Sequence, residues 1–368
     1  MKTVCKPDKC TGCTACVNIC PHNAISIQDT MISLNAVIDE DKCINCNACE
    51  KVCHVNHPVT KVEPMKWYQG WCEDSDIRSS SSSGGVAAAL ERAFVNGGGY
   101  VCSCMYSKGE FIYSVTNRLE DVENFKGSKY VKSNPSGVYK EIKTLLRQGN
   151  KVLFVGLPCH AAAVRKYVGE KYEENLFVAD LICHGSPSQK LLKLFLEQHN
   201  KSSVSVQNVE FRKNNKFCLS CDDKYIAQKE CLDKYTMGFL NALFYTENCY
   251  ECQYASKERI SDITLGDSWG SSMPAQEQSK GISLILVQTE KGGQLLKDSN
   301  VELFDVDVEN AVSNNHQLRH PSVKTDKRGY FFAGLKKGKK IDLLVRKCYP
   351  KSSFKQWIKG LLIKLHIK

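Results

Sequence analysis

The sequence predicts a small α+β domain followed by an α/β domain with a largely parallel sheet, ending in a basic amphipathic helix. Three observations lead there. A run of four cysteines occurs twice between Cys10 and Cys53. Two strand–turn–helix units follow one another between Lys151 and His199, the pattern of βαβ topology. The C-terminal stretch sets apolar residues at helical spacing among lysines.

The cysteine run reads Cys10-x2-Cys13-x2-Cys16-x3-Cys20-Pro21 and then Cys43-x2-Cys46-x2-Cys49-x3-Cys53, each cysteine 33 residues after its counterpart. Three thiolates spaced by two residues wrap one corner of an iron–sulfur cube, while the fourth projects away and reaches the other cluster. By that rule Cys10, Cys13, Cys16 and Cys53 hold one 4Fe-4S cluster, and Cys43, Cys46, Cys49 and Cys20 hold the second. A pair of zinc knots would also use CxxC pairs. It leaves unexplained the third cysteine, at the same spacing twice over, and Pro21 after the fourth. The second copy departs at one point: His54 follows Cys53 where Pro21 follows Cys20. The run resembles two-cluster bacterial-type ferredoxins, so residues 1–57 are expected to form an α+β ferredoxin-like domain. His22, His54 and His57, beside the cysteines, are read as structural.

At 368 residues the chain has room for two or three domains. No apolar leader precedes Cys5, no apolar run is long enough to span a bilayer, and cluster thiolates must be reduced. A cytoplasmic location is therefore expected. The net charge of +10 is concentrated: Lys336 to Lys368 holds eleven Lys or Arg against Asp342 alone, so the rest of the chain is neutral. A nucleic-acid enzyme would spread basic charge around its site, and no nucleic-acid partner is expected.

Residues 58–65, with two prolines, read as a linker. Residues 66–150 begin the second domain with an edge strand over Trp67–Trp71. A serine run ends in Gly84-Gly85, before a helix over 86–94 for which Ser82 or Ser83 is the N-cap. Such a turn offers free N–H groups to a phosphate or carboxylate, although capped helices are common and there is no GxGxxG. Strands follow over Tyr100–Tyr106 and Phe111–Thr116, then a polar segment, Lys126–Ser133, with a basic and an aromatic side chain suited to an anionic cofactor.

Residues 151–330 carry the two successive units. Lys151–Gly156 is a buried strand, Leu157–His160 its turn, and 161–168 a helix. Leu176–Ile182, Cys183-His184-Gly185 and a helix over Gln189–His199 repeat the pattern. Both turns fall at the carboxyl edge of one sheet, where open α/β sheets bind ligands. Cys159 and Cys183 sit at equivalent places, each followed by histidine. Cys249-x2-Cys252 precedes a strand over Ile260–Leu265 that ends in Gly266–Gly270. Spacing leaves two quartets open: Cys159, Cys183, Cys249 and Cys252 as a third 4Fe-4S site, or Cys218, Cys221, Cys249 and Cys252 as structural zinc.

The ordered segments SSSGGVAAAL, GSKYVKS, GLPCHAAAV, ADLICHGSPS, VEFRK and CYECQYASKERISDITLGDSWG resemble the coenzyme F420 hydrogenase/dehydrogenase beta-subunit family over about residues 66–320. The resemblance implies a flavoprotein holding FAD, with Ser83, Gly84, Gly85, Lys129 and Tyr130 as flavin contacts. It implies Cys159, Cys183, Cys249 and Cys252 as ligands of a third cluster, and places His184 and Asp267 near the flavin as candidate proton donors. Cys218 and Cys221 depart from the family pattern, and no deazaflavin pocket is legible. Family members beside surface-polysaccharide enzymes point to a small-molecule or sugar-linked substrate. The expected route runs from a redox donor protein or reduced deazaflavin through the clusters and FAD to a two-electron substrate. Two alternatives are a non-catalytic electron-transfer subunit and a zinc-stapled scaffold.

In residues 331–368, Phe354, Trp357, Ile358, Leu361, Leu362 and Leu365 form a lysine-flanked apolar stripe, expected to touch the inner face of a membrane peripherally or to pack on protein. Cys5, Cys72, Cys102, Cys104, Cys231 and Cys348 are read as free thiols.

Overall fold

The computed structural model describes residues 2–135, 137–202 and 204–365, so the end of the lysine-rich tail lies outside the described residues. Near the N-terminus β1 (Lys2–Thr3), β2 (Ile25–Asp29) and β3 (Leu34–Ile38) form an antiparallel sheet in the order β1-β3-β2. Next come β4 (Lys66–Cys72), β5 (Tyr100–Ser107), β6 (Glu110–Thr116), β7 (Val152–Gly156) and β8 (Leu176–Leu181). A separate antiparallel sheet holds β9 (Val209–Lys213), β10 (Lys216–Cys221) and β11 (Lys224–Tyr225), before β12 (Ile263–Asp267), β13 (Ser283–Val287) and β14 (Val301–Asp305).

The large sheet runs β14-β4-β13-β12-β8-β7-β5-β6. Its four middle strands, β12, β8, β7 and β5, are parallel, and both flanks are antiparallel. The expected largely parallel sheet is thus a mixed one. At one flank the reason is local: β5 and β6 are joined by the tight Lys108-Gly109 turn, which only an antiparallel pair can use, while at the other β4 pairs antiparallel with the distant β13 and β14. The strand expected at an edge, β4, pairs with β13 on one side and β14 on the other.

β7 shows how the sheet is covered. All five of its residues are buried, as befits a central strand. Val152 and Phe154 face the helices Val138–Arg147 and Pro158–Val168. Leu153 and Val155 face Leu90 of the helix Val86–Asn96 and Leu295 of Glu290–Lys297. The first of these cores also takes in Ala15 and Cys16, so the N-terminal domain shares a hydrophobic core with the large sheet. The linker is pinned as well: Val62 and Arg259 exchange backbone hydrogen bonds of 2.7 and 2.9 Å.

The stretch 331–368 is more than a tail. Phe331, Ile341, Leu344 and Val345, fully buried in the helices Lys327–Lys336 and Ile341–Cys348, pack with Phe195 and Phe244. Each contributes about 2 kcal/mol by burial. Only the following helix, Pro350–Lys364, stays on the surface. Among the described residues no helix is long and apolar enough to cross a membrane.

Candidate metal centres

The two cysteine runs fold into the same turn twice. Gly12 and Thr14 adopt left-handed backbone (φ 69° and 59°), as do Asn45 and Asn47 at the matching positions (φ 55° and 58°). Gly and Asn are the residues that enter this region most readily. The short helices Ala15–Ile19 and Ala48–Lys51 then carry Cys16 and Cys49. Cys10, Cys13, Cys16 and Cys53 line one cavity, and Cys20, Cys43, Cys46 and Cys49 line another. The fourth cysteine of each run crosses into the other run's cavity. Cys5, read from sequence as an isolated thiol, lines the first cavity too. The sites differ in depth. The first quartet is buried throughout, whereas in the second Cys46 is exposed and the others half-buried.

A third cavity, about 210 Å³, opens at the carboxyl edge of the parallel strands and is lined by Cys159, Cys183, Cys249 and Cys252. Cys159 lies in the first turn of Pro158–Val168, not in a loop before it; Pro158 takes the first helical position, where no N–H is needed. Cys183 lies just past the end of β8. Gly185 then lets the chain pass against the Tyr245 ring, which any side chain would strike. Thr246 donates its N–H and hydroxyl to the Ser186 carbonyl (3.0 and 3.2 Å), fixing the turn that holds Cys249. The buried Arg259 bonds the Asp180 carboxylate and the Leu181 carbonyl (2.8 Å each) and the Tyr254 carbonyl, tying the loop of Cys252 to the end of β8. Cys218 and Cys221, the other half of the zinc quartet, lie on β10, where their neighbouring charges are those of Asp233, Glu210, Asp222, Lys213 and Lys201. Among the described residues no group of three or more His, Cys, Asp or Glu is set to hold a single metal ion.

Sequence reasoning missed Lys132. It is buried in the third cavity, with its amine 3.8 Å from Cys249 Sγ. Burial disfavours its charge, but the sulfurs of Cys249, Cys159, Cys183 and Cys252 outweigh that and raise its pKa overall. Four thiols around one space, faced by an ammonium, suit an anionic thiolate-bound group. Only the second lysine of GSKYVKS signalled this, and nothing in the motif distinguishes it from a surface lysine.

The third cavity also takes Lys9, Thr11 and Val55 from the N-terminal domain. Thr11 Oγ1 lies 3.0 Å from His54 Nε2, and Tyr254 Oη lies 2.6 Å from His54 Nδ1. His54 is fully buried, and burial, reinforced by Lys132, lowers its pKa to about 4. Lys9 pairs with Glu251 across the same boundary.

The serine loop and the 126–133 segment do meet: Ser128 N–H donates to Ser82 Oγ at 2.8 Å. The helix cap differs from expectation. Gly85 (φ 76°) is the N-cap and no serine side chain caps the helix, because Ser83 Oγ donates instead to the Ile282 carbonyl at 2.8 Å. Gly84 N–H donates to Ser283 Oγ, and a Cβ there would run into the Gly70 carbonyl. The Lys129 amine is spent on the carbonyls of Phe125 and Lys126, and Tyr130 stacks on Phe239 with centroids 4.4 Å apart. The polar ends of Ser83 and Lys129 are thus turned into the protein. The Ser81 hydroxyl, buried in the same loop, has no hydrogen-bond partner.

His184 lines the third cavity with its ring edge-on to His316, centroids 5.5 Å apart. Burial, then His316, lowers its pKa to about 4, so the ring is neutral at pH 7. Asp267, at the end of β12, accepts from Arg212 Nη1 with both oxygens (3.0 and 2.9 Å).

Residues 149–307 match the family described as the C terminus of the coenzyme F420 hydrogenase/dehydrogenase beta subunit, and residues 9–57 match the 4Fe-4S dicluster domain. Among solved structures, a chain of the xenon-derivatised F420-reducing NiFe hydrogenase complex from Methanosarcina barkeri is similar. It is 20% identical, covers 70% of this chain and 91% of its own length, and has a TM-score of 0.49. No curated protein matches.

Proposed function

As a chain that joins a 4Fe-4S dicluster domain to the C-terminal domain of the coenzyme F420 hydrogenase/dehydrogenase beta-subunit family, this protein is, we propose, an iron–sulfur flavoprotein oxidoreductase. The observation that carries the reading is the third cysteine cavity, which draws its walls from both domains. Bound there and in the dicluster domain, 4Fe-4S clusters would supply one-electron transfer, and FAD would couple it to two-electron chemistry. The exposed Cys46 makes the second dicluster site the one a redox donor, protein or reduced deazaflavin, would approach. Cys159, Cys183, Cys249 and Cys252 would hold a third cluster, with Lys132 offsetting its negative charge. For FAD, the donors left free are Ser81 Oγ and the first amides of the Val86–Asn96 helix. Ser83, Gly84 and Gly85 would shape that turn, and Lys129 and Tyr130 would support it from beneath. His184 faces the cavity and is the better placed proton donor or acceptor for the substrate. Asp267 would act by orienting Arg212. A small-molecule or sugar-linked substrate and a reducing, cytoplasmic setting complete the reading.

The exposed second site would serve equally a non-catalytic subunit that hands electrons to a partner enzyme. Iron, sulfide and flavin content per chain, measured on anaerobically purified protein, separates the two. About twelve irons and one flavin support the oxidoreductase. About eight irons without flavin would leave only the dicluster half and the relay.

A further inference from the structure

The Pro350–Lys364 helix is inverted relative to an ordinary surface helix, which buries its apolar stripe. The side it turns toward the body is held by polar and small residues, with the half-buried Ile363 among them. Ser353 is buried and donates to Met237 Sδ at 3.6 Å. Gln356 accepts from the Leu232 N–H at 3.0 Å, Lys359 donates to the Glu230 carbonyl, and Gly360 lies against Gln228 and Cys231. Outward point Phe354, Trp357, Ile358, Leu361 and Leu365, which are 38–63% exposed. The spacing 0, 3, 4, 7, 11 makes them one continuous stripe on a helix of about 3.6 residues per turn. Phe354 and Trp357 stack at 5.8 Å and are 60% and 63% exposed.

The charge around the stripe has a single sign. By the same periodicity the exposed Lys351 and Lys355 flank it on one side and the exposed Lys364 on the other. The helix contains no acidic residue. All of the chain's net charge of +10 falls between Lys336 and Lys368.

We infer that this helix docks the protein onto an anionic lipid surface, lying in the interface with its five apolar side chains in the headgroup and upper acyl region. The charge and the chemistry of the stripe argue for lipid. A narrow stripe led by a tryptophan and a phenylalanine and bordered by lysines matches the interfacial layer, where aromatic rings settle and basic side chains reach anionic headgroups. The remainder of the molecule carries no net charge to oppose this approach. The inference is independent of what the redox centres do.

Flotation of the full-length, cluster-loaded protein tests it, with vesicles of phosphatidylcholine alone and of mixed phosphatidylcholine and phosphatidylglycerol. Binding is expected to the mixed vesicles, at least about tenfold weaker to the neutral ones, and diminished by added salt. The double variant F354S/W357S should lose about tenfold or more in binding, while its iron content and visible spectrum stay as in the parent, which shows that it folds. Absence of binding to the mixed vesicles, or equal binding by the folded double variant, would overturn the inference. So would a dimer in size measurements that the double variant converts to monomer, because the stripe would then be covered by a second copy of the chain.

Discussion

The Nδ1 atom of His54 and the hydroxyl of Tyr254 lie 2.6 Å apart and join two cysteine sites that the chain separates by about 200 residues. His54 follows Cys53, and Tyr254 comes two residues after Cys252. The other imidazole nitrogen reaches Thr11, between Cys10 and Cys13. The residue that breaks the repeat, histidine in place of proline, is therefore one of those that tie the N-terminal domain to the large one.

Replacing His54 with Phe keeps a ring in a fully buried space but removes the ring's hydrogen bonds to Thr11, Tyr254 and Gln253. It leaves the Tyr254 hydroxyl supported by Gln253 alone (2.9 Å). A loss of about 2 kcal/mol in stability is expected, against about 1 kcal/mol for Tyr254→Phe. Urea midpoints followed by visible absorbance order the variants, and a midpoint for His54→Phe equal to the parent's would show that the bridge contributes nothing.

Lys132 is a buried cation lining the third cavity, with its amine 3.8 Å from Cys249 Sγ. Its removal in Lys132→Met makes adding an electron to that site harder. The reduction potential of the proposed third cluster should fall by about 60 mV or more, a tenfold step in a one-electron equilibrium. Redox titration followed by electron paramagnetic resonance resolves this, with the two dicluster signals as internal reference. An unshifted third signal would mean that the ammonium does not sense the cluster.

Cys183→Ser should cost about four irons per chain and leave the dicluster signals in place. Cys218→Ser should leave iron unchanged. Iron lost from Cys218→Ser and kept in Cys183→Ser would transfer the ligand role to the β10 pair.

Glu91 is buried in the Val86–Asn96 helix, and burial raises its pKa from 4.5 to about 7 against the opposing pull of Ser103 and Lys129. Between those two values the folded protein keeps a proton that the unfolded chain releases, so stability declines as pH rises through the window and levels off above about 7. Glu91→Gln should remove that decline. It should be more stable than the parent at pH 8, by on the order of 3 kcal/mol, and close to it near pH 4.5. Thermal midpoints at the two pH values check the sign.

Asp267→Asn takes the counter-charge from Arg212, whose side chain is 3% exposed. Leaving that guanidinium with only the neutral Asn215 and Tyr130 as side-chain hydrogen-bond partners should destabilise the protein by about 2 kcal/mol. If Asp267 acts only by orienting Arg212, an Arg212→Lys variant should show a comparable fall in turnover, and intact turnover in both would take the pair out of the mechanism.

What the sequence determined by itself was whatever is set by near neighbours along the chain. The doubled cysteine run specifies its turn locally, through Gly12 and Asn45 in left-handed backbone, so the two copies were legible from spacing. The uninterrupted apolar run of β7 announced a buried parallel strand for the same reason. Tertiary structure decided what depends on contacts between distant segments. The position of β4 between β13 and β14 rests on backbone hydrogen bonds to residues more than 200 positions away, which no local pattern records. The surroundings of Lys132 are of that kind, as is the bond from His54 to Tyr254. The C-terminal helix shows both limits at once: its apolar periodicity was plain in the sequence, but a periodic stripe has no intrinsic inside. Only the polar anchors Gln356 and Ser353, set against Leu232 and Met237, turned that stripe outward.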